Sequence, residues 1–287
     1  MGVLRWRFAV QSRSAMAFRL SRRAFLAAPL SLLLLPRAAS AAALSTTRQP
    51  QAFTVDVGIL FDMINFALKG TITKSIDEAA GRYRITVEGE GDKISVHTDA
   101  GGVIREGRFI PVHLHSTSTI RGRLSTLDLL YDHDKGTVEY HSVGHTFFLG
   151  RRRQVDDVLK LPTDRHVDDL LSAELNFAAD KLDRDPDGAY RTYIVRRSRP
   201  ENEGPDDVSP SGYRAELIPL RFQVVPDESS GRLRARIDIT SFSSWARRSQ
   251  PAQVTFGPDR HLESVQSKLM LGTTFKARLT TAALMPS

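Results

Sequence analysis

Phe53-Thr54-Val55-Asp56-Val57-Gly58-Ile59-Leu60-Phe61 places Phe53, Val55, Val57, Ile59 and Phe61 in alternation with Thr54, Asp56, Gly58 and Leu60. A period of two puts successive side chains on opposite faces, so this stretch is a β-strand with one buried face. The phase shifts near Asp62, and Ile64, Phe66, Leu68, Gly70 and Ile72 resume the alternation to about Lys74. A turn or bulge at 61–63 is therefore expected. Tyr83, Ile85 and Val87 alternate in turn with Arg84, Thr86 and Glu88 beyond the turn residues Asp77–Gly81.

The same pattern continues outward. Asp99-Ala100-Gly101-Gly102 reads as a further turn. Phe109–His115 reads as a strand with Ile110, Val112 and Leu114 on one face, and Leu124–Tyr131 and Thr137–Phe148 flank the loop Asp132–Gly136. Arg151-Arg152-Arg153 reads as a local basic patch. Val167, Leu171, Leu175, Ala178 and Leu182 recur at helical spacing. This predicts one helix, opened at Pro162-Thr163-Asp164 and ended by Asp185-Pro186-Asp187-Gly188. Asp164, Asp168 and Asp169 suit the positive end of its dipole. Tyr190–Arg197, Tyr213–Val225, Ala235–Ile239, Val254–Phe256, Leu262–Leu271 and Thr274–Leu279 return to strand patterning. Pro219 belongs at an edge or bulge because it cannot donate to a ladder, and 200–211 reads as a solvated, mobile loop.

Long alternating strands joined by short turns predict a mainly β fold. The expected architecture is an antiparallel curved sheet, an open half-barrel with one covering helix, and a two-sheet β-sandwich is the alternative. The apolar face of such a sheet holds Phe53, Val55, Val57, Phe66, Leu68, Ile85, Val87, Val112 and Leu114. If the helix leaves that face partly open, it would take an apolar ligand such as an acyl chain. If it is fully covered, the protein would be a scaffold or envelope partner-binding module.

Upstream, Ser21-Arg22-Arg23-Ala24-Phe25-Leu26 leads into the apolar run Ala27–Leu35 and the small-residue stretch Pro36–Ala43. A basic region, a short apolar region and an Ala39-x-Ala41 site in that order make a cleavable export signal over 1–41. The run falls short of the about 20 residues that a spanning helix needs, so no transmembrane span is expected in the mature form. The pattern around Arg22 and Arg23 resembles a twin-arginine signal, with Ala27 where Lys is common; the general secretory route is the alternative. Met16 is a second possible start. Expected partners are thus the export machinery, then a lipid or envelope protein in the periplasm. Residues 42–51 read as a short tether and 52–287 as one mainly-β domain.

The formal net charge of the whole chain is +7. Residues 1–41 hold seven arginines and no lysine or acid, so the mature chain is neutral. A basic nucleic-acid face is not supported. There is no cysteine, which excludes disulfides, thiolate nucleophiles and thiolate metal sites. No phosphate loop, Gly-x-Ser-x-Gly motif or cofactor motif is present. Five of the eight histidines lie between 113 and 145. His113 and His115 share a strand face; with His141 and a carboxylate such as Asp132 or Asp134 they could hold Zn²⁺ or Cu²⁺, and the alternative function is a metal-binding protein or a hydrolase using these strands around 113–145. A polar strand face is the competing reading.

The order of these features resembles an exported bacterial family known as domain of unknown function 3108. The resemblance rests on the opening strands Phe53–Lys74 and Tyr83–Glu88, on Asp168-Asp169-Leu170-Leu171-Ser172-Ala173, and on the hairpin of Val254–Val265 and Leu271–Leu279. Ser264-Val265 stands where the family often has Pro-Val. The resemblance implies a half-barrel similar in shape to periplasmic lipoprotein carriers, and implies no catalytic residue or cofactor.

Overall fold

The alternation around Phe53 forms strand β1 (Thr47–Ile59), which starts inside the stretch expected to be a tether. The chain then runs as an antiparallel meander. Its strands are β2 (Ile64–Asp77), β3 (Arg82–Gly91), β4 (Ile94–Arg105), β5 (Arg108–Ile120), β6 (Arg123–Asp132), β7 (Thr137–His145) and β8 (Arg152–Lys160). A second meander, β13 (Val224–Asp227), β14 (Arg232–Ile237), β15 (Ala252–Phe256), β16 (Leu262–Lys268) and β17 (Thr274–Thr281), returns β17 to β1. The result is one curved 13-stranded sheet with β8 and β13 as its edges, not closed into a barrel. This computed structural model describes residues 47–281 apart from 201, 202 and 248. Arg22, Arg23, Ala39 and Ala41 lie outside the described residues.

Between the meanders the chain builds a filling layer. Helix α1 (Leu170–Ala178) is much shorter than its sequence pattern predicts, because Val167–Asp168 is instead strand β9, parallel to β11. With β10 (Asp183–Arg184), β11 (Tyr190–Arg197) and β12 (Ala215–Phe222) it makes a four-stranded second sheet. A lone helix is therefore not what covers the curved sheet. Pro219 sits on β12, at the edge of that small sheet, where its missing N–H costs nothing. Ala173 and Phe177 of α1 pack with Ile218, Leu220 and Phe222 of β12 and with Ala235, Val254 and Phe256 of the second meander. Val195 and Ala215 pack with Leu114, Leu129, Val138 and Val155 of the first.

Asp99–Gly102 is not a turn. It lies inside β4, whose ends are marked by the positive-φ residues Lys93 and Glu106. The register between β4 and β5 shifts there: Gly101 faces His113 while Gly102 faces Pro111, which leaves Val112 as the extra residue of a bulge. The bulge turns Val112 outward (38% exposed), while Phe109, Pro111 and Leu114 are buried. The expectation of Ile110, Val112 and Leu114 on one face fails for this reason. Arg152 and Arg153 of the basic patch open edge strand β8, which the sequence pattern does not suggest.

A buried polar cluster fastens the filling layer to the sheet. Arg108 of β5 donates to Asp168 Oδ2 at 2.8 Å and also to the Lys181 carbonyl. Thr192 of β11 donates to the same carboxylate at 2.6 Å, and Asn176 of α1 donates to its Oδ1 at 3.1 Å. Asp169 caps α1, accepting from the Leu171 and Ser172 amides, while its own N–H donates to Ser172 Oγ. This reciprocal capping is the helix-start role expected of that aspartate. Asp168 instead serves the ion pair, and Asp164 lies outside the helix, paired with Arg165. The 200–211 segment is not wholly solvated: Glu203, with its side chain 1% exposed, pairs with Arg197 at 2.8 Å and accepts from Tyr213 at 2.8 Å.

Removing one partner of a buried pair strands the other charge. Asp168→Ala is therefore expected to lower the unfolding free energy by about 3–5 kcal/mol. Asp156→Ala removes a carboxylate that is 73% exposed, and should cost no more than about 1 kcal/mol. Urea unfolding of both variants checks this; equal, small losses would remove the anchoring role assigned to Asp168.

Candidate functional site

The filling layer does not fill the curved sheet evenly. Between α1, β12 and strands β14–β16 it leaves a cavity of about 310 Å³, within the size range of small-ligand sites. Leu170, Ala173, Glu174 and Phe177 line it from the helix. Leu220 and Phe222 come from β12, and Ile237, Ala252, Val254, Phe256, Leu262 and Val265 from the second meander. Ile239 and Phe242, from the segment between β14 and β15, complete it. The local sequence dictates this. Ala252, Val254 and Phe256 are alternate residues of one strand, so all three face inward, and Ala173 and Phe177 lie one helical turn apart.

The floor is aromatic. The Phe177 ring lies 4.5 Å from Phe256 and 5.4 Å from Phe222 between centroids, and Tyr190 closes against Phe177 edge-on at 5.0 Å. Arg260 stacks over Phe177 at 4.5 Å, a cation–π contact, and also pairs with Asp180 at 2.9 Å. Leu170, 56% exposed, marks where the cavity reaches solvent.

Glu174 is the one charged residue of the lining. Lys74 of β2 donates to its two oxygens at 2.9 and 2.7 Å. His261 Nδ1 donates to Oε1 at 3.0 Å and the Leu262 amide at 3.3 Å. Burial disfavours the Glu174 carboxylate, but the hydrogen bonds from His261 and Lys74 and the Lys74 charge outweigh it and hold the carboxyl down to about 2. The Asp168 carboxyl moves the other way: burial pushes it up to about 6, against the pull of Arg108.

The residues expected to line a ligand site take other places. Phe53, Phe66, Leu68, Ile85 and Leu114 are buried, and Val55, Val57 and Val87 are partly buried. None lines this cavity. The Phe53 ring lies against Gly70 and Gly89, where a Cβ would stand 2.6 and 2.8 Å from its Cζ. The apolar opening sits instead under the second meander, whose alternation at Ala252–Phe256 is as regular as that of β1. That signal was in the sequence, but nothing there shows which stretch of apolar face is left uncovered.

The histidines do not converge. His113 Nε2 meets Asp99 at 3.1 Å, His115 pairs with Asp128, and His141 Nδ1 meets Asp156 at 2.9 Å. Each imidazole thus has its own carboxylate in a cross-strand row over β4–β8. Asp132 and Asp134, the carboxylates considered for a metal, lie in the β6–β7 turn, where Asp132 pairs with Lys135 at 2.7 Å. His133 donates to the Pro111 carbonyl at 2.7 Å. Among the described residues no group of three or more His, Asp or Glu side chains is arranged to hold a metal ion.

No family model and no curated protein matches this chain. Among solved structures it is similar to a beta-barrel-like protein of domain of unknown function DUF1849 from Brucella abortus. The identity is 10% and the TM-score 0.37, over 83% of this chain and 98% of that one. The likeness to the 3108 family is not supported by a family match. Among the described residues no helix is long and apolar enough to cross a membrane.

The Glu174 carboxyl gives a pH prediction. Its folded value, about 2, lies below its usual 4.5. The stability it contributes is therefore complete above 4.5 and lost as pH falls toward 2. Asp168, raised to about 6, acts in the opposite sense between its ordinary value and 6, so the difference between variants is what reads Glu174. The wild-type advantage over Glu174→Gln in unfolding free energy should shrink between pH 4.5 and pH 2. An advantage independent of pH across that window would contradict the assignment.

Proposed function

We propose that this protein binds one apolar chain, an acyl or comparable hydrocarbon, in the cavity between α1, β12 and β14–β16. The observation that carries this is the lining: apolar and aromatic side chains throughout, with the single charge, Glu174, already held by Lys74 and His261. An ionic or sugar-like ligand would leave its polar groups unpaired there, at a cost of about 1–3 kcal/mol for each. A hydrocarbon chain gains roughly 0.8 kcal/mol for each buried methylene. The protein is read as a binding protein, since no nucleophile, base and oxyanion donors converge in this lining.

The setting proposed for this binding is the periplasm. It rests on the order of Arg22 and Arg23, the apolar run Ala27–Leu35 and the Ala39-x-Ala41 site. The twin-arginine route is the finer proposal. Lysine at both arginines should then block export. Unchanged appearance of the processed chain in the periplasm would sink the twin-arginine route while leaving export itself intact.

Ala252 is 1% exposed and lines the cavity, so Ala252→Phe would fill it. Titration of residues 42–287 with a fluorescent fatty acid should show saturable binding, lost or weakened at least about tenfold in the folded Ala252→Phe variant. Equal binding by both proteins would place the ligand elsewhere. No binding of any alkyl probe by the wild type would remove the proposal.

A further inference from the structure

The two rims of the curved sheet differ in chemistry. One rim carries the β1–β2, β3–β4, β5–β6, β7–β8, β14–β15 and β16–β17 connections, of which the β3–β4 turn is the charged pair Asp92-Lys93. Six of the eleven exposed large apolar residues among those described lie in or beside these connections: Phe61, Met63, Ile120, Leu124, Leu149 and Leu271. The opposite rim has turns of charged and small residues, at 78–81, 106–107 and 133–136. Scattered single apolar residues on a surface are ordinary, but a cluster on one edge marks an interaction site.

The most projecting part is the β1–β2 tip. Phe61 and Met63 are each 82% exposed. Leu60, Phe61 and Asp62 are all left-handed, at φ 54°, 57° and 64°, a backbone that costs bulky residues energy. The tip is held in that shape. The Phe61 amide donates to the Gly272 carbonyl at 3.3 Å, and Asp62 is turned back to accept from Thr274 Oγ1 at 3.2 Å. A Cβ at Gly58 would stand 1.7 Å from the Asp62 carboxylate, so a side chain there would have to displace Asp62 from this position.

Beside this tip, on the outer face, Arg236, Lys268 and Lys276 line one groove of about 370 Å³ with Gln253 and Gln266. No acidic residue lines it. Asp56 stands across the strand from Lys276, but none of the three cations has an ion pair among the described residues. Lys268 faces Thr274, the first residue of β17, so the groove begins at the rim itself.

We propose that this rim docks on a lipid bilayer bearing anionic headgroups. Phe61, Met63 and Leu271 enter the interfacial zone, while Arg236, Lys268 and Lys276 take headgroup phosphates. Apolar side chains beside unpaired cations are the combination that binds an anionic membrane surface. A protein partner would not require cations next to the apolar tip. The cavity meets this rim. Phe242 lines it, and three residues on, the Trp245 carbonyl accepts from the Met270 amide at 2.7 Å, beside Leu271. A chain drawn from the bilayer would thus have a short apolar path. The docking itself does not need the cavity to bind anything, so the two readings fail separately.

The test is vesicle flotation of residues 42–287, a span that keeps every described strand and leaves out the basic, apolar signal. Phosphatidylcholine vesicles are compared with phosphatidylcholine–phosphatidylglycerol vesicles. The protein should float with the anionic vesicles, less so at high salt. Phe61→Ser with Met63→Ser should weaken partitioning at least about tenfold. Lys268→Gln with Lys276→Gln should remove the preference for the anionic lipid. Circular dichroism melts matching wild type would show that these exposed substitutions leave the fold intact. Failure of the wild type to float would overturn the proposal, as would flotation indifferent to Phe61 and Met63. So would a dimer, seen by light scattering and dispersed by the same double substitution, since the tip would then belong to a second copy.

Discussion

Everything inside the curved sheet hangs on how β5 passes its bulge. The β5–β6 ladder ends at His113 and Leu130. Beyond that point the backbone of residues 108–112 needs other partners on that side, because buried peptide groups are costly when unpaired. Asn176 supplies them, accepting from the Phe109 amide and donating to its carbonyl, both at 2.8 Å. His133 takes the Pro111 carbonyl. The same Asn176 donates to Asp168, whose carboxylate also holds Arg108 and Thr192. One buried cluster thus joins the sheet, the helix and the second sheet.

That attachment is polar by necessity. An ion pair this deep is weak evidence of net stability, since desolvation offsets the attraction. It does specify position: a hydrocarbon substitute would fill space without fixing where α1 sits. With α1 pinned at β5, its Ala173 and Phe177 side meets the second meander at Phe256 but leaves a gap beside that contact. The cavity is the gap that remains. Lys74, reaching from β2 to Glu174, and Arg260, stacked on Phe177, bound the end of the gap near the β15–β16 turn. The opposite end leads to the β14–β15 segment and the apolar rim.

The fold class was legible because a period of two is a strong and local signal, and it recurs on both sides of the helix between Phe53 and Leu279. The open half-barrel followed from long strands with short turns. What the sequence could not show was nonlocal. The bulge at Val112 depends on pairing between β4 and β5, so the alternation of residues 110–114 alone points Val112 to the wrong face. The helical period overruns α1 because Val167 and Leu182 fit it while belonging to β9 and to the core beyond the helix. The Asp99–Gly102 run looked like a turn by composition, yet backbone pairing kept it in a strand. The apolar lining was legible as inward-facing residues, but which of those remain uncovered depends on a second sheet that periodicity does not announce. The histidines looked convergent only while their carboxylate partners on neighbouring strands were unknown.

The central claim is that the space between Phe177, Phe222 and Val254 receives a hydrocarbon chain. A crystal of residues 42–287 grown with a bromine-tipped fatty acid tests it directly. The account predicts an anomalous bromine peak within that lining, with the carboxyl end toward solvent. A well-ordered crystal with the bromine elsewhere, or with side chains closed across the cavity under saturating ligand, would contradict it.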